Sequence, residues 1–243
     1  MPTFTPFGPD HLGVLSFTGA SALTLIASAR ALRRRSEDRV IRMSLAAGLV
    51  ANELSGWVAA LARGQFTLPL HLCDLAVFLM AWAMLARHRL VGELAFCWGL
   101  GGSLQAVLTP DLHHGFPSYP WLQFFLGHVG LVLSAVYLAS SGRVRLRSAS
   151  VWRVWAITNV YVTVIGLVNW RLGTNFGYLA AKPSQPSVLD YLGPWPYYLI
   201  GMEAIGLALF FACFGVNRAV ERLAGPSSSV VAPVRGEDRC PSH

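Results

Sequence analysis

Charge is scarce in this chain of 243 residues: Asp, Glu, Lys and Arg together make up 13%, against about 25% in an ordinary soluble domain. Lysine is nearly absent, with Lys182 the only one among 19 basic residues. A retinal protein is thereby excluded, because its Schiff base needs a lysine inside the bundle and Lys182 falls in a connection. Cysteine is sparse as well. Cys73, Cys97, Cys213 and Cys240 show no CxxC spacing and fall at different expected depths, so they point to neither a disulfide framework nor a zinc site. A Walker A loop, a GxSxG elbow, an HExxH pair and a convincing internal repeat are also missing.

Apolar residues are what the chain has in quantity: 54% are hydrophobic and the mean hydropathy is +0.49. Runs of about 20 apolar residues, each long enough to cross a hydrocarbon core of roughly 30 Å, are expected at about 12–29, 43–62, 68–86, 90–108, 121–139, 151–170 and 194–216. The expected fold class is all-α, a polytopic integral membrane bundle of seven transmembrane helices over residues 1–222. Residues 223–243 are rich in Pro, Ser and Gly and are expected to form a disordered cytoplasmic tail.

Arginine is distributed unevenly among the connections. Arg30, Arg33, Arg34, Arg35, Arg39 and Arg42 fall in the first, Arg87 and Arg89 in the third, and Arg143, Arg145, Arg147 and Arg153 around the fifth. Arg218, Arg222, Arg235 and Arg239 follow the last span, whereas only Arg63, Arg171 and Lys182 lie on the opposite side. The positive-inside rule then puts the N-terminus outside and the C-terminus in the cytoplasm, with the plasma membrane as the expected location. A net charge of +7 is thus a topology signal and not a nucleic-acid patch. Membrane phospholipids, through anionic headgroups, are the partner it leaves, and no protein partner is implied. The first apolar run has its positive cluster after it, the reverse of an export signal, so it is expected to be retained.

Ionisable and strongly polar groups inside spans are costly and mark functional candidates. Here they are Glu53, His71, Cys73, Asp74, Glu93, Gln105, His128, Asn159, Asn169, Arg171 and Glu203. At 1.5 Å per residue, His71, Cys73 and Asp74 fall roughly 5 to 9 Å below the outer edge and His128 about 10 Å below it, on another helix. Gln105, Asn169 and Arg171 close their spans on the same side. A thiol, two imidazoles, a carboxylate, amides and a guanidinium are the parts of nucleophilic acyl transfer: Cys73 to attack, His128 to take its proton, and donors for the oxyanion. His71 and Asp74, three residues apart, share a helix face and suit a headgroup amine.

The bland readings stand beside these. A cysteine in a membrane helix also serves as a small hydrophobe. Glu53 and Glu203 suit either a proton path or interhelical hydrogen bonds, and Glu93, Cys97 and Cys213 read as structural. Asp111, His113 and His114 sit in an outer loop where two adjacent histidines rarely complete a metal site. No metal or cofactor is expected. The residues alone leave open an acyltransferase, a transporter lined by Glu53, Glu203 and Asn159, and a non-catalytic lipid-binding protein.

Five stretches narrow the choice. TLPLHLCDL (67–75), WGLGGSLQAVLTPDL (98–112), FFLGHVGLVL (124–133), ITNVYVTVIGLVNWRLGTNFGYLAAKP (157–183) and LDYLGPWPYY (189–198) resemble the bacterial YwaF-like integral membrane family. That family is similar to the eukaryotic transmembrane protein 164 family. The resemblance implies a heptahelical membrane acyltransferase with a Cys and His pair, which in eukaryotes moves a fatty acyl chain onto ether phosphatidylethanolamine. Carried over, the Cys of LHLC is Cys73 and the His of FLGH is His128. The substrate-binding candidates beside them are His71, Asp74, Gln105, Asn169 and Arg171.

Overall fold

The computed structural model describes residues 3–34, 38–65 and 68–224. Helix follows helix: α1 (Pro9–Ala27), α2 (Ala29–Arg34), α3 (Arg39–Ala62), α4 (Leu72–Leu85), α5 (Arg89–Cys97), a π-helical segment (Trp98–Gly102), α6 (Ser103–Leu108), α7 (Tyr119–Ser140), α8 (Ser148–Leu172) and α9 (Tyr198–Ala224). Among the described residues the nearest thing to a strand is a single bridge between Thr3 and His114. The expected tail lies outside the described residues apart from Leu223 and Ala224, which belong to α9.

Burial sorts the helices into two groups. In α5 through α6, and in α7, 72% and 56% of the most apolar stretch is buried inside the protein, whereas in α1, α3 and α9 only 11% is, although these are just as apolar. Trp170 and Ile200 are 83% and 74% exposed. Apolar surface on this scale is stable only against hydrocarbon, so α1, α3, α8 and α9 face lipid around an inner set of α4, α5, α6 and α7. At the centre, Gly99 lets the inner helices meet. A side chain there would begin 2.6 Å from Met80 Cε of α4 and 3.7 Å from the Leu131 carbonyl of α7. Gly127 does the same for α3, where a Cβ would stand 2.9 Å from Asn52 Nδ2.

Fully buried polar groups tie the helix ends. His11 accepts from the Phe7 amide at 2.9 Å through Nδ1, and its Nε2 donates at 2.8 Å to the Val107 carbonyl in the last turn of α6. That carbonyl is one of the four a helix end leaves unpaired. Asn217 of α9 accepts from Leu146 N at 2.9 Å and donates to Val144 O at 3.2 Å, holding the α7–α8 connection. Glu93, 1% exposed, accepts from Arg89 Nε at 2.9 Å and Ser150 Oγ at 2.8 Å, with Arg153 Nη1 3.4 Å away. These contacts give Glu93 the structural role expected of it.

Six of the expected spans are helices long and apolar enough to cross a membrane. The third differs. Its helix, α4, has 14 residues, about 21 Å at 1.5 Å per residue and short of the roughly 30 Å hydrocarbon core. The remainder of that expected span, 68–71, is non-helical. The physical reason is local: Pro69 disfavours helix at Leu68, and Asp74 caps the new start by accepting from His71 N at 2.9 Å.

Candidate functional site

The late start of α4 places Cys73 in the first helical turn, directly after the non-helical stretch. Non-helical backbone at membrane depth persists only where protein satisfies it or a cavity receives it. Here Tyr161 of α8 donates to the Leu70 carbonyl at 2.8 Å, and Asp74 takes the His71 amide. The Cys73 thiol lies 3.9 Å from Asp74 Oδ1. Among the described cysteines, Cys97 and Cys213 are buried in the apolar core and Cys73 is partly exposed.

The turn after α8 folds over this entrance, and Asn169 shapes it. Its Nδ2 donates to the Phe176 carbonyl at 2.9 Å, while Oδ1 accepts from Phe176 N and Thr174 Oγ1, both at 2.9 Å. The turn needs left-handed backbone at Gly177, φ +66°, and Tyr178, φ +56°. It delivers the Gly177 amide to His71 Nδ1 at 3.4 Å and sets the Phe176 ring edge-on to the imidazole, 5.4 Å between centroids. Because Nδ1 of His71 accepts, its neutral ring carries the proton on Nε2. Tyr178 donates to Asp111 Oδ2 at 3.0 Å, and burial together with the Asp111 carboxylate pushes its hydroxyl above the usual tyrosine range. Cys73 also lies within electrostatic reach of Tyr178.

His128 is on α7. Its Nδ1 lies 2.8 Å from the Phe124 carbonyl. A carbonyl only accepts, so Nδ1 carries the proton and Nε2 of the neutral ring keeps its lone pair, the opposite tautomer to His71. The contact of Met80 and Leu131 at Gly99 fixes the register of the two helices. Cys73 is seven residues before Met80 and His128 three before Leu131, each near the face that meets Gly99, so their backbones are offset by about 6 Å along the bundle. No hydrogen bond joins Cys73 to His128 among the described residues.

Of the other candidates, Glu53 of α3 lies within electrostatic reach of Cys73 and Asp74. Gln105 Nε2 donates to Thr109 Oγ1 at 3.2 Å on its own helix. Arg171 is exposed in the last turn of α8. Glu53 accepts from Trp57 at 2.9 Å and Glu203 from Asn159 at 2.8 Å, so each carboxyl has a nearby partner. Asp111 and His113 bind the α8–α9 connection: Asp111 Oδ1 accepts from Ser184 Oγ at 2.9 Å, and Gln185 Nε2 lies 2.8 Å from His113 Nδ1. The structure thus gathers His71, Cys73 and Asp74 with Glu53 within electrostatic reach, adds Tyr161 and Tyr178, which the sequence reading did not single out, and makes Asn169 the brace of the covering turn. A polar aromatic residue within an apolar run, as Tyr161 is, was the available signal.

Six helices long and apolar enough to cross a membrane, four of them exposing apolar side chains around a packed inner set, define an integral, multi-pass helical membrane protein. Within that class the chain belongs to the TMEM164 family, whose model matches residues 6–214. No curated protein and no solved structure gives a significant match.

Proposed function

We propose that the protein is a phospholipid acyltransferase with Cys73 as its nucleophile. The observation that carries this reading is the broken start of α4, which sets Cys73, a half-buried residue, in a first helical turn with His71, Asp74, Tyr161 and Tyr178 around it. The likeness of the LHLC and FLGH motifs to an acyltransferase family supports it. In the proposed cycle the Cys73 sulfur attacks an ester carbonyl of a phospholipid and a C–S bond forms. The ester C–O bond then breaks to release a lysolipid. His128 takes the thiol proton on Nε2 and returns it to the leaving alkoxide; the hydroxyl of an acceptor lysolipid then attacks the thioester by the reverse path. His71 supplies an N–H toward the oxyanion, and Arg171 lies at the membrane boundary where a headgroup phosphate would sit. Nucleophile and base are apart before substrate binds, and such pairs commonly close only in the substrate complex.

The same proposal includes seven crossings, the third completed by 68–71, with the N-terminus outside, the C-terminus in the cytoplasm and the plasma membrane as the site of action. The test uses the full chain in liposomes holding a phospholipid labelled in its acyl chain and an unlabelled lysolipid. Wild type is expected to transfer label and to carry an acyl adduct on Cys73 by mass spectrometry. Cys73→Ala is expected to abolish both, and His128→Ala to slow transfer by about 10²- to 10⁴-fold. Undiminished transfer by Cys73→Ala would overturn the mechanism.

A further inference from the structure

The opposite end of the bundle, at the ends of α4 and α7 and the starts of α5 and α8, contains a cavity of about 500 Å³. An ordered water needs only about 30 Å³, so the space admits a much larger group. Six arginines line it: Arg87, Arg89, Arg143, Arg145, Arg147 and Arg218. Two carboxylates, Glu93 and Glu221, face them. Glu93 is matched by Arg89 at 2.9 Å, and Glu221 by Arg218 at 3.1 Å and Arg145 at 3.8 Å. Arg87 and Arg147 form no ion pair among the described residues, and Arg143 is within electrostatic reach of Asp38, a carboxylate already engaged by Arg42 and Tyr137. Arg143 Nε is buried without any hydrogen-bond partner, its Nη2 only reaching the Met84 carbonyl at 3.5 Å.

A buried guanidinium donor left unpaired is costly, and guanidinium groups crowded around one space, as Arg143 is with Arg42 and Arg87, repel each other. Arg89 in the first turn of α5 and Arg147, the residue before α8, bring two helix starts to the cavity, and helix N-termini carry partial positive charge. One group answers all three features: a phosphate, with several acceptor oxygens and more than one charge to meet bidentate guanidinium forks. The level of the cavity, where helices of the bundle end, is also that of lipid headgroups.

We propose that this cavity is a phosphate-binding site, separate from the Cys73 region, held by Arg87, Arg143 and Arg147 and occupied by the headgroup of an anionic phospholipid or by a free phosphate. The test is binding to the full chain in neutral detergent, read by native mass spectrometry and thermal shift. The probes are dioctanoyl phosphatidic acid, inorganic phosphate and, as control, dioctanoyl phosphatidylcholine. Phosphatidic acid is expected to bind and stabilise, phosphatidylcholine much less. The exposed pair change Arg87→Gln with Arg147→Gln is expected to weaken binding about tenfold per guanidinium removed, while Arg63→Gln at the other end leaves it unchanged. Stabilisation by inorganic phosphate as well assigns the site to phosphate itself; stabilisation by phosphatidic acid alone assigns it to lipid headgroups. Wild-type binding of neither probe, or equal affinities for the Arg87/Arg147 and Arg63 variants, would overturn the proposal.

Discussion

Asp38 sits before α3, 8% exposed, with both carboxylate oxygens engaged: Oδ1 accepts from Arg42 Nε at 2.8 Å and Oδ2 from Tyr137 at 2.7 Å. Burial opposes its charge, but these hydrogen bonds and the positive charge of Arg42 and Arg143 outweigh that and hold the carboxyl below its ordinary value of 3.8. A depressed carboxyl contributes stability that is fully present above the unfolded pKa and is lost as pH falls through the folded one. The melting temperature gap between wild type and Asp38→Asn in detergent is therefore expected to be constant from pH 7 to about 5 and to close below about pH 4; a gap independent of pH down to 3 would refute the role. Individual polar residues were legible in the sequence as expensive and hence meaningful, but not by partner. Asn169 closes a span beside Arg171 and so reads in the sequence as a donor to substrate; in the structure its amide also binds Thr174 and Phe176. Such a contact depends on how a turn folds back, and nothing in local composition encodes it.

Between elements, Gly99 matters because Met80 and Leu131 both reach it. Gly99→Leu forces α4 and α7 apart at the centre and is expected to cost about 1–3 kcal/mol, the usual range for overpacking. Gly166 of α8 has open space around it, so Gly166→Leu should change little. Thermal unfolding of the two variants side by side checks this, and equal stability would mean the central contact is slack. A run of small residues such as Gly99, Gly101 and Gly102 is legible in sequence as a place where helix backbones approach closely. The π-helical turn over Trp98–Gly102 was not, and nor was the shortened α4. Apolar periodicity reports how long a segment stays out of water, which is the same for a helix and for a helix with four unwound residues buried by neighbours. Pro69 was the visible sign, and it gained meaning only once Tyr161 was seen to occupy the Leu70 carbonyl.

Across the whole molecule, the arginines that mark one side of the membrane also hold that end of the bundle closed. Arg42 donates to the Met84 carbonyl in the last turn of α4, Arg33 reaches Ser140 O at the end of α7 at 3.1 Å, and Arg30 reaches Leu223 O near the end of α9 at 3.1 Å. Three C-terminal helix ends, each with unpaired carbonyls and a negative dipole end, are thus met by cations from the first connection. The asymmetry visible in the sequence therefore has two physical sources that act together, insertion and helix capping, and reversing the orientation would carry this whole arginine-capped end across the bilayer. The orientation is expected to be unambiguous. A fluorescent protein fused after the last residue should fold and emit in a bacterial host, and alkaline phosphatase fused there should be inactive. A fusion at the N-terminus should behave the opposite way, which requires an odd number of crossings and hence passage of α4 with 68–71 through the membrane. If both termini report from the same side, α4 does not cross, and Cys73 lies in a re-entrant segment.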